Sequence, residues 1–216
     1  MPSVFAKYAR VAYPITFHGT LKVHTICGGT PTDPRKAEGW IRSKLDTSEN
    51  LIQAAVAEVM VERGVTADEA VAVVEENKHL NGFKRDDQGL YIEGRQLKAA
   101  LKEAGNVRWP KARWGISKKG TRSFFAEHVF VVEDKLHLGV MEPSGVNQRF
   151  VHTFRGSGIQ YEEFVTGARI DFTIITDHDF TQEEWALLWL TGEQQGIGAT
   201  RSQGFGRYEV TNWERD

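Results

Sequence analysis

The chain has 216 residues and a net charge of −2, and 40% of it is hydrophobic, including six tryptophans and twelve phenylalanines. That is enough apolar material for one good-sized core with a small subdomain, and no apolar run approaches the roughly 20 residues of a membrane helix. The single cysteine excludes an internal disulfide framework and a cysteine-rich zinc site, and the polar, broken opening segment lacks a secretory pattern, so the expectation is a cytoplasmic protein with no membrane partner, no metal and no cofactor.

In chain order, residues 11–26 carry enough β-branched and aromatic residues for a long strand, or a strand pair bent at Gly19. The glycines and prolines of 27–34 break it, and Pro34 after Asp33 suits the first turn of a helix. A second helix is expected from Ser48, with Leu51, Ile52, Val56, Val59 and Met60 on one face. A third follows the capping box of Thr66 and Glu69. Residues 34–80 therefore read as a helical insertion, and its 46–76 stretch is acidic, with Arg63 the one cation against eight carboxylates.

Residues 89–105 read as a short strand, a corner at Gly94 and a helix ending near Gly105. Residues 106–123 have no clear period and are expected as a basic loop or extended hairpin. A hairpin turning at Glu133-Asp134 is expected over 124–141, and a strand pair over 148–155 and 167–176. Thr181 and Glu184 form a second capping box, with Phe180 placed to staple onto Trp185, for a helix running to Leu190 and stopping at Gly192. A last strand begins near Phe205. Without the two insertions the order is strand, helix, strand, strand, helix, strand, the split βαβ arrangement of ferredoxin-like and RNA-recognition-motif folds, an α+β class.

Between that last helix and strand lies Gly196-Ile-Gly-Ala-Thr-Arg-Ser-Gln-Gly-Phe-Gly-Arg207. Glycines at 196, 198, 204 and 206 let backbone N–H groups converge on an anion. Arg201 and Arg207 add charge, Thr200 and Ser202 add donors, and Phe205 offers a stacking face. A phosphate attached to a base is the ligand that uses all of these. The basic 95–122 stretch points the same way. Trp109 and Trp114 lie among Arg108, Lys111, Arg113, Lys118, Lys119 and Arg122, a pattern that suits stacking on unpaired bases beside phosphate neutralisation and equally suits two core tryptophans under a solvated loop.

Three segments together resemble the CRISPR-associated RAMP superfamily. The 196–207 loop looks like that family's C-terminal glycine-rich segment, Tyr91–Ala104 is similar to the corner and helix of its backbone subunits, and Leu21–Thr30 matches its first strand and glycine pair. The resemblance implies one RAMP-like domain over 1–216 that grips single-stranded RNA, stacks as a homo-oligomer or joins a multi-subunit ribonucleoprotein, and carries a thumb, for which 106–123 is the natural candidate. Carried over by residue, the RNA-facing set is Gly94, Arg95 and Lys98 with Gly196, Gly198, Arg201, Ser202, Gly204, Phe205, Gly206 and Arg207. The corner departs from the family in having Arg95 and Gln96 where small hydroxyl residues stand.

The resemblance also implies a role for Asp33, since backbone subunits of one branch cut RNA with an aspartate in this loop; the plain alternative is that Asp33 caps the helix at Pro34. Histidines 18, 24, 128, 137 and 152 show no spacing that demands partnership, and Asp177, His178 and Asp179 are successive, so their side chains diverge. The main reading is a non-catalytic RNA binder. Its rivals are a stand-alone endoribonuclease of the same superfamily and a phage or mobile-element single-stranded DNA-binding protein.

Overall fold

A computed structural model of the chain describes residues 9–29, 49–71, 80–111, 114, 120–153 and 156–216. Asp33, Arg113, Lys118, Lys119 and the start and end of the expected helical insertion lie outside these residues. Its central element is β8 (Gly156–Thr176), whose second half pairs antiparallel with β1 (Ile15–Cys27), from Ile15 opposite Thr176 to Cys27 opposite Phe164. The far side of β1 takes β9 (Tyr208–Arg215), and the far side of β8 takes β5 (Val129–Val131). The order across the sheet is thus β9-β1-β8-β5, all antiparallel.

β1 alternates as a half-buried strand must. Phe17, Leu21 and Val23 are buried, while His18, Lys22 and His24 face solvent. It is one unbroken strand rather than a bent pair: Gly19 is there because the Phe172 ring lies where a Cβ would sit. Helices α2 (Gly94–Arg108) and α4 (Gln182–Gln195) pack on this sheet and on each other. Leu97, Ala100, Leu101 and Ala104 come from α2, and Trp185, Leu188 and Trp189 from α4. Trp185 sits edge-on to Phe17 at 5.1 Å, and Trp189 is 5.5 Å from Phe172. The capping box at Thr181 and Glu184 is formed in both directions, with Phe180 4.9 Å from Trp185. α4 runs past Gly192 to Gln195 and ends at Gly196, in positive φ, while Gly192 makes room for the Tyr208 hydroxyl.

A second, three-stranded sheet is built from β3 (Lys84–Asp86), β4 (Gly89–Glu93) and β6 (Lys135–His137). The expected 124–141 hairpin is therefore corrected. Thr121–His128 is a helix, α3, which buries Phe124 and Phe125, and β5 and β6 join different sheets. β7 (Gly145–Thr153) pairs with the first half of β8, Gly145 opposite Phe164 through Thr153 opposite Gly156, and β2 (Leu80–Asn81) lies parallel beside Tyr161 and Glu162. Of the acidic region, α1 (Glu49–Arg63) and the helical start at 67–71 of the expected third helix are described, and the Thr66–Glu69 box closes with bonds of 2.9 and 3.4 Å. No helix among the described residues is long and apolar enough to cross a membrane.

The 106–123 stretch is corrected in part. Residues 106–108 finish α2, and Trp114 is a core side chain, 7% exposed. Phe124 stacks on it at 5.3 Å, Phe180 meets it edge-on at 5.2 Å, and its indole N–H donates to Glu184 Oε1 at 3.0 Å. Trp109 packs against it at 4.8 Å, half-buried. Trp114→Ala is expected to lower unfolding free energy by about 3–5 kcal/mol, the usual cost of emptying a tryptophan site, whereas exposed Arg108→Ala stays within about 0.5 kcal/mol. Urea unfolding followed by far-ultraviolet circular dichroism measures both.

In the small sheet, Asp86 receives Lys135 at 2.6 Å and faces His137 at 3.0 Å. The hydrogen bond from Lys135, against a smaller opposing effect of desolvation, lowers its pKa from 3.8 to about 2. A carboxylate whose pKa falls on folding stabilises the fold above its unfolded pKa, and that contribution fades as pH drops through the folded value. Acid titrations of wild type and Asp86→Asn should therefore diverge least near pH 2 and reach their full difference above about pH 4.

Candidate nucleic-acid interface

The three motif segments converge at one end of the large sheet, where β1 stops and β8 runs on. Gly28 N–H donates to the Glu163 carbonyl at 2.9 Å, and the strand end lies so close to Gly82 that a Cβ at 28 would overlap its backbone. A Cβ on Gly29 would come within 2.7 Å of the Ala199 methyl group. Only side-chain-free residues permit this approach. Residues 27–29, 82–84, 91–93 and Gln96 line one crevice of about 10 Å³, barely enough for one water molecule. The crevice is a seam where segments meet, too small for an organic ligand.

The glycine loop is stitched along that end. Ile197 N–H donates to the Gly206 carbonyl at 2.8 Å, Gly206 N–H to Thr25 at 2.7 Å, Ala199 N–H to Cys27 at 3.3 Å, and His24 N–H to Arg207 at 3.0 Å. Gly196, Gly198, Gly204 and Gly206 all take positive φ. The outermost part is a 3₁₀ turn at Arg201–Gln203 closed by Gly204. Ser202 and Gly204 are exposed, with open space around Gly204, and Phe205 is half-buried. Arg201 is tied to Glu103 of α2 at 2.7 Å. Arg207 is exposed, and its side chain has no ion-pair partner among the described residues.

The corner residues have internal partners. Gly94 is buried under the Glu133 carbonyl, and its N–H donates to Asp134 at 2.9 Å. Arg95 is exposed and pairs with Glu93, whose other oxygen takes Lys84 at 2.9 Å; these two cations hold the Glu93 pKa low. Lys98 donates to the Ala126 carbonyl at 2.9 Å with its ammonium 3.6 Å from the Phe130 ring centre, and burial lowers its pKa. Arg108 and Lys111 are exposed at the far end of α2. The structure thus sets Glu93 and Gln96, on either side of the corner, in the crevice beside Gly28 and Gly29, turns Gly94 itself toward Glu133 and Asp134, and leaves Lys98, Arg108, Trp109, Lys111 and Trp114 along or beyond α2. Burial removes Trp114 from the candidate surface. Asp177 pairs with His128 at 2.8 Å and Asp179 with Arg215 at 3.0 Å, so the 177–179 turn spends its carboxylates on different partners.

One element of this end was read only in part in the sequence, since the expected strand pair at 148–155 and 167–176 omits residues 156–166. The β7–β8 hairpin springs from it, because the first half of β8 continues past the end of β1. From Pro143 to Tyr161 there is no acidic residue, while Arg149, His152, Arg155, Phe150 and Phe154 all occur; that charge pattern was the available signal. Phe150 is 75% exposed and Val146 46%. The root is held by buried glutamates on β8: Glu163 pairs with Arg85 and accepts Phe83 N–H at 3.1 Å, and Glu162 accepts the Thr200 hydroxyl at 2.6 Å.

No family model matches this chain, and no curated protein matches it. Among solved structures, a chain from the cryo-EM structure of the type III-B Cmr-beta bound to cognate target RNA is similar in fold, with a TM-score of 0.51 and 8% identity. The match covers 97% of this chain and 62% of that one, so this chain spans about three fifths of that neighbour's length. At such identity the likeness is one of fold: a mixed helical and antiparallel-sheet architecture.

Proposed function

We propose that the chain is a RAMP-like protein that binds single-stranded RNA by its own surface, both as the free chain and within any ribonucleoprotein it joins, through the end of the sheet where β1 stops. The carrying observation is the convergence there of the glycine pair at 28–29, of Glu93 and Gln96 on either side of the corner, and of the 196–207 loop, stitched by the bonds from Ala199 and Gly206 to β1. The order β9-β1-β8-β5, with α2 following β1 and α4 following β8, is the arrangement a ferredoxin-like core would have, and the fold neighbour solved with target RNA supports the same reading.

Within this reading the roles divide by what each side chain already holds. Arg201, engaged by Glu103, is a strut between loop and helix, and Arg207 is the cation left for a phosphate. Phe150, exposed on the acid-free hairpin, is the stacking side chain, taking the part that Trp114 is too buried to play. In this reading the hairpin is a projecting element.

Fluorescence anisotropy with a labelled single-stranded RNA, and with the matching DNA as competitor, tests the assignment. Arg207→Ala should weaken binding and reduce the slope of log affinity against log salt by about 0.7, the contribution of one phosphate contact on a single strand. Phe150→Ala should cost about 1–3 kcal/mol with the salt slope unchanged. Absence of RNA binding by the wild type at low salt would sink the proposal; equal competition by DNA would remove the RNA preference alone.

A further inference from the structure

Of the positive-φ positions in the 196–206 loop, four are glycines and the fifth is Thr200, at φ 60° and ψ 25°. It is the one non-glycine in that region among the described residues. A β-branched side chain enters left-handed space against steric resistance, since its Cβ substituents crowd the backbone. Were the conformation alone needed, glycine would supply it without strain, as it does at 196, 198, 204 and 206.

What threonine adds is a hydroxyl, and that hydroxyl donates to Glu162 Oε2 at 2.6 Å, the length of a charge-assisted bond to a carboxylate. Glu162 is 2% exposed and has further contacts of its own. It sits at the root of the hairpin, opposite Asn147 of β7 and beside Asn81 of β2. The Thr200 carbonyl accepts Gln203 N–H at 3.0 Å, and Gly204 N–H closes on Arg201 at 2.9 Å. The backbone angle at Thr200 therefore sets the direction in which the exposed turn leaves the sheet.

We propose that Glu162 and Thr200 are a positioning pair: the buried carboxylate holds Thr200 in the left-handed conformation and so fixes the 201–204 turn relative to the hairpin, letting loop and arm engage one RNA strand together. The proposal rests on the RNA-binding reading of this end. Neither residue needs to touch RNA; their effect passes through the turn they orient.

The test compares Thr200→Val, which keeps the shape and loses the hydroxyl, with Thr200→Ser, which keeps the hydroxyl. Thr200→Gly is the variant to use if the valine is too strained to fold. Amide hydrogen exchange is read at Gln203 and Gly204, with Gly206, bonded to Thr25, as reference for the intact sheet end. Affinity for a labelled mixed-sequence single-stranded RNA is read in parallel. Loss of the hydroxyl should speed exchange at Gln203 and Gly204 but not at Gly206, and weaken RNA binding roughly three- to tenfold, the worth of one net hydrogen bond. The serine variant should match wild type in both. Unchanged exchange in the valine and glycine variants overturns the pair even where RNA binds normally, and faster exchange with unchanged affinity overturns its part in binding. A wild-type chain that binds no RNA overturns the reading on which the proposal stands, and the proposal with it.

Discussion

The pairing of β1 with β8 is the constraint from which the rest of the molecule follows. Ile15 meets Thr176 and Cys27 meets Phe164, in one register throughout. Because β8 reaches back to Gly156, everything before Phe164 extends past the end of its partner. A strand that outruns its neighbour leaves unpaired backbone groups, and these must find other partners. Here β7 takes one edge of the overhang, while β2 and the Gly28 amide take the other. The projecting hairpin and the gathering of loops around its root are both consequences of that mismatch in length.

Close approach at this end depends on residues with little or no side chain, and it leaves little room for free charge. Gly28, Gly29, Gly82 and Ala199 bring three separate segments together. Around them Lys84 and Arg95 are held by Glu93, Arg85 by Glu163 and Glu142, and Arg201 by Glu103. The end is rich in cations yet largely neutralised internally, in keeping with the chain's net charge of −2. A nucleic acid held here would depend on few phosphate contacts, on backbone donors and on stacking, more than on a broad positive field.

Elements whose signals are local were legible in the sequence. The Thr66 and Thr181 capping boxes, the alternation of β1, the corner at Gly94 and the final strand each depend on residues a few positions apart, and each is found where its pattern lies. The 124–131 stretch was not legible. Phe124, Phe125 and Val129 suit a buried strand or a buried helix equally, and short apolar runs do not separate the two.

The sequence by itself determined the alternation of β1, the starts of the helices at Thr66, Gly94 and Thr181 and the presence of a glycine loop with arginines beside it, because propensity, capping and alternation act through neighbours. Only the tertiary structure decided which of those groups are spent. Trp114 goes to the core because Phe124, Phe180 and Glu184 surround it. Arg201 goes to Glu103, and Thr200 to a carboxylate 38 residues away on β8. A hydrogen bond, an ion pair or a ring contact between distant segments leaves no periodic trace in the chain. It exists only once the overhang of β8 has brought those segments to the same place.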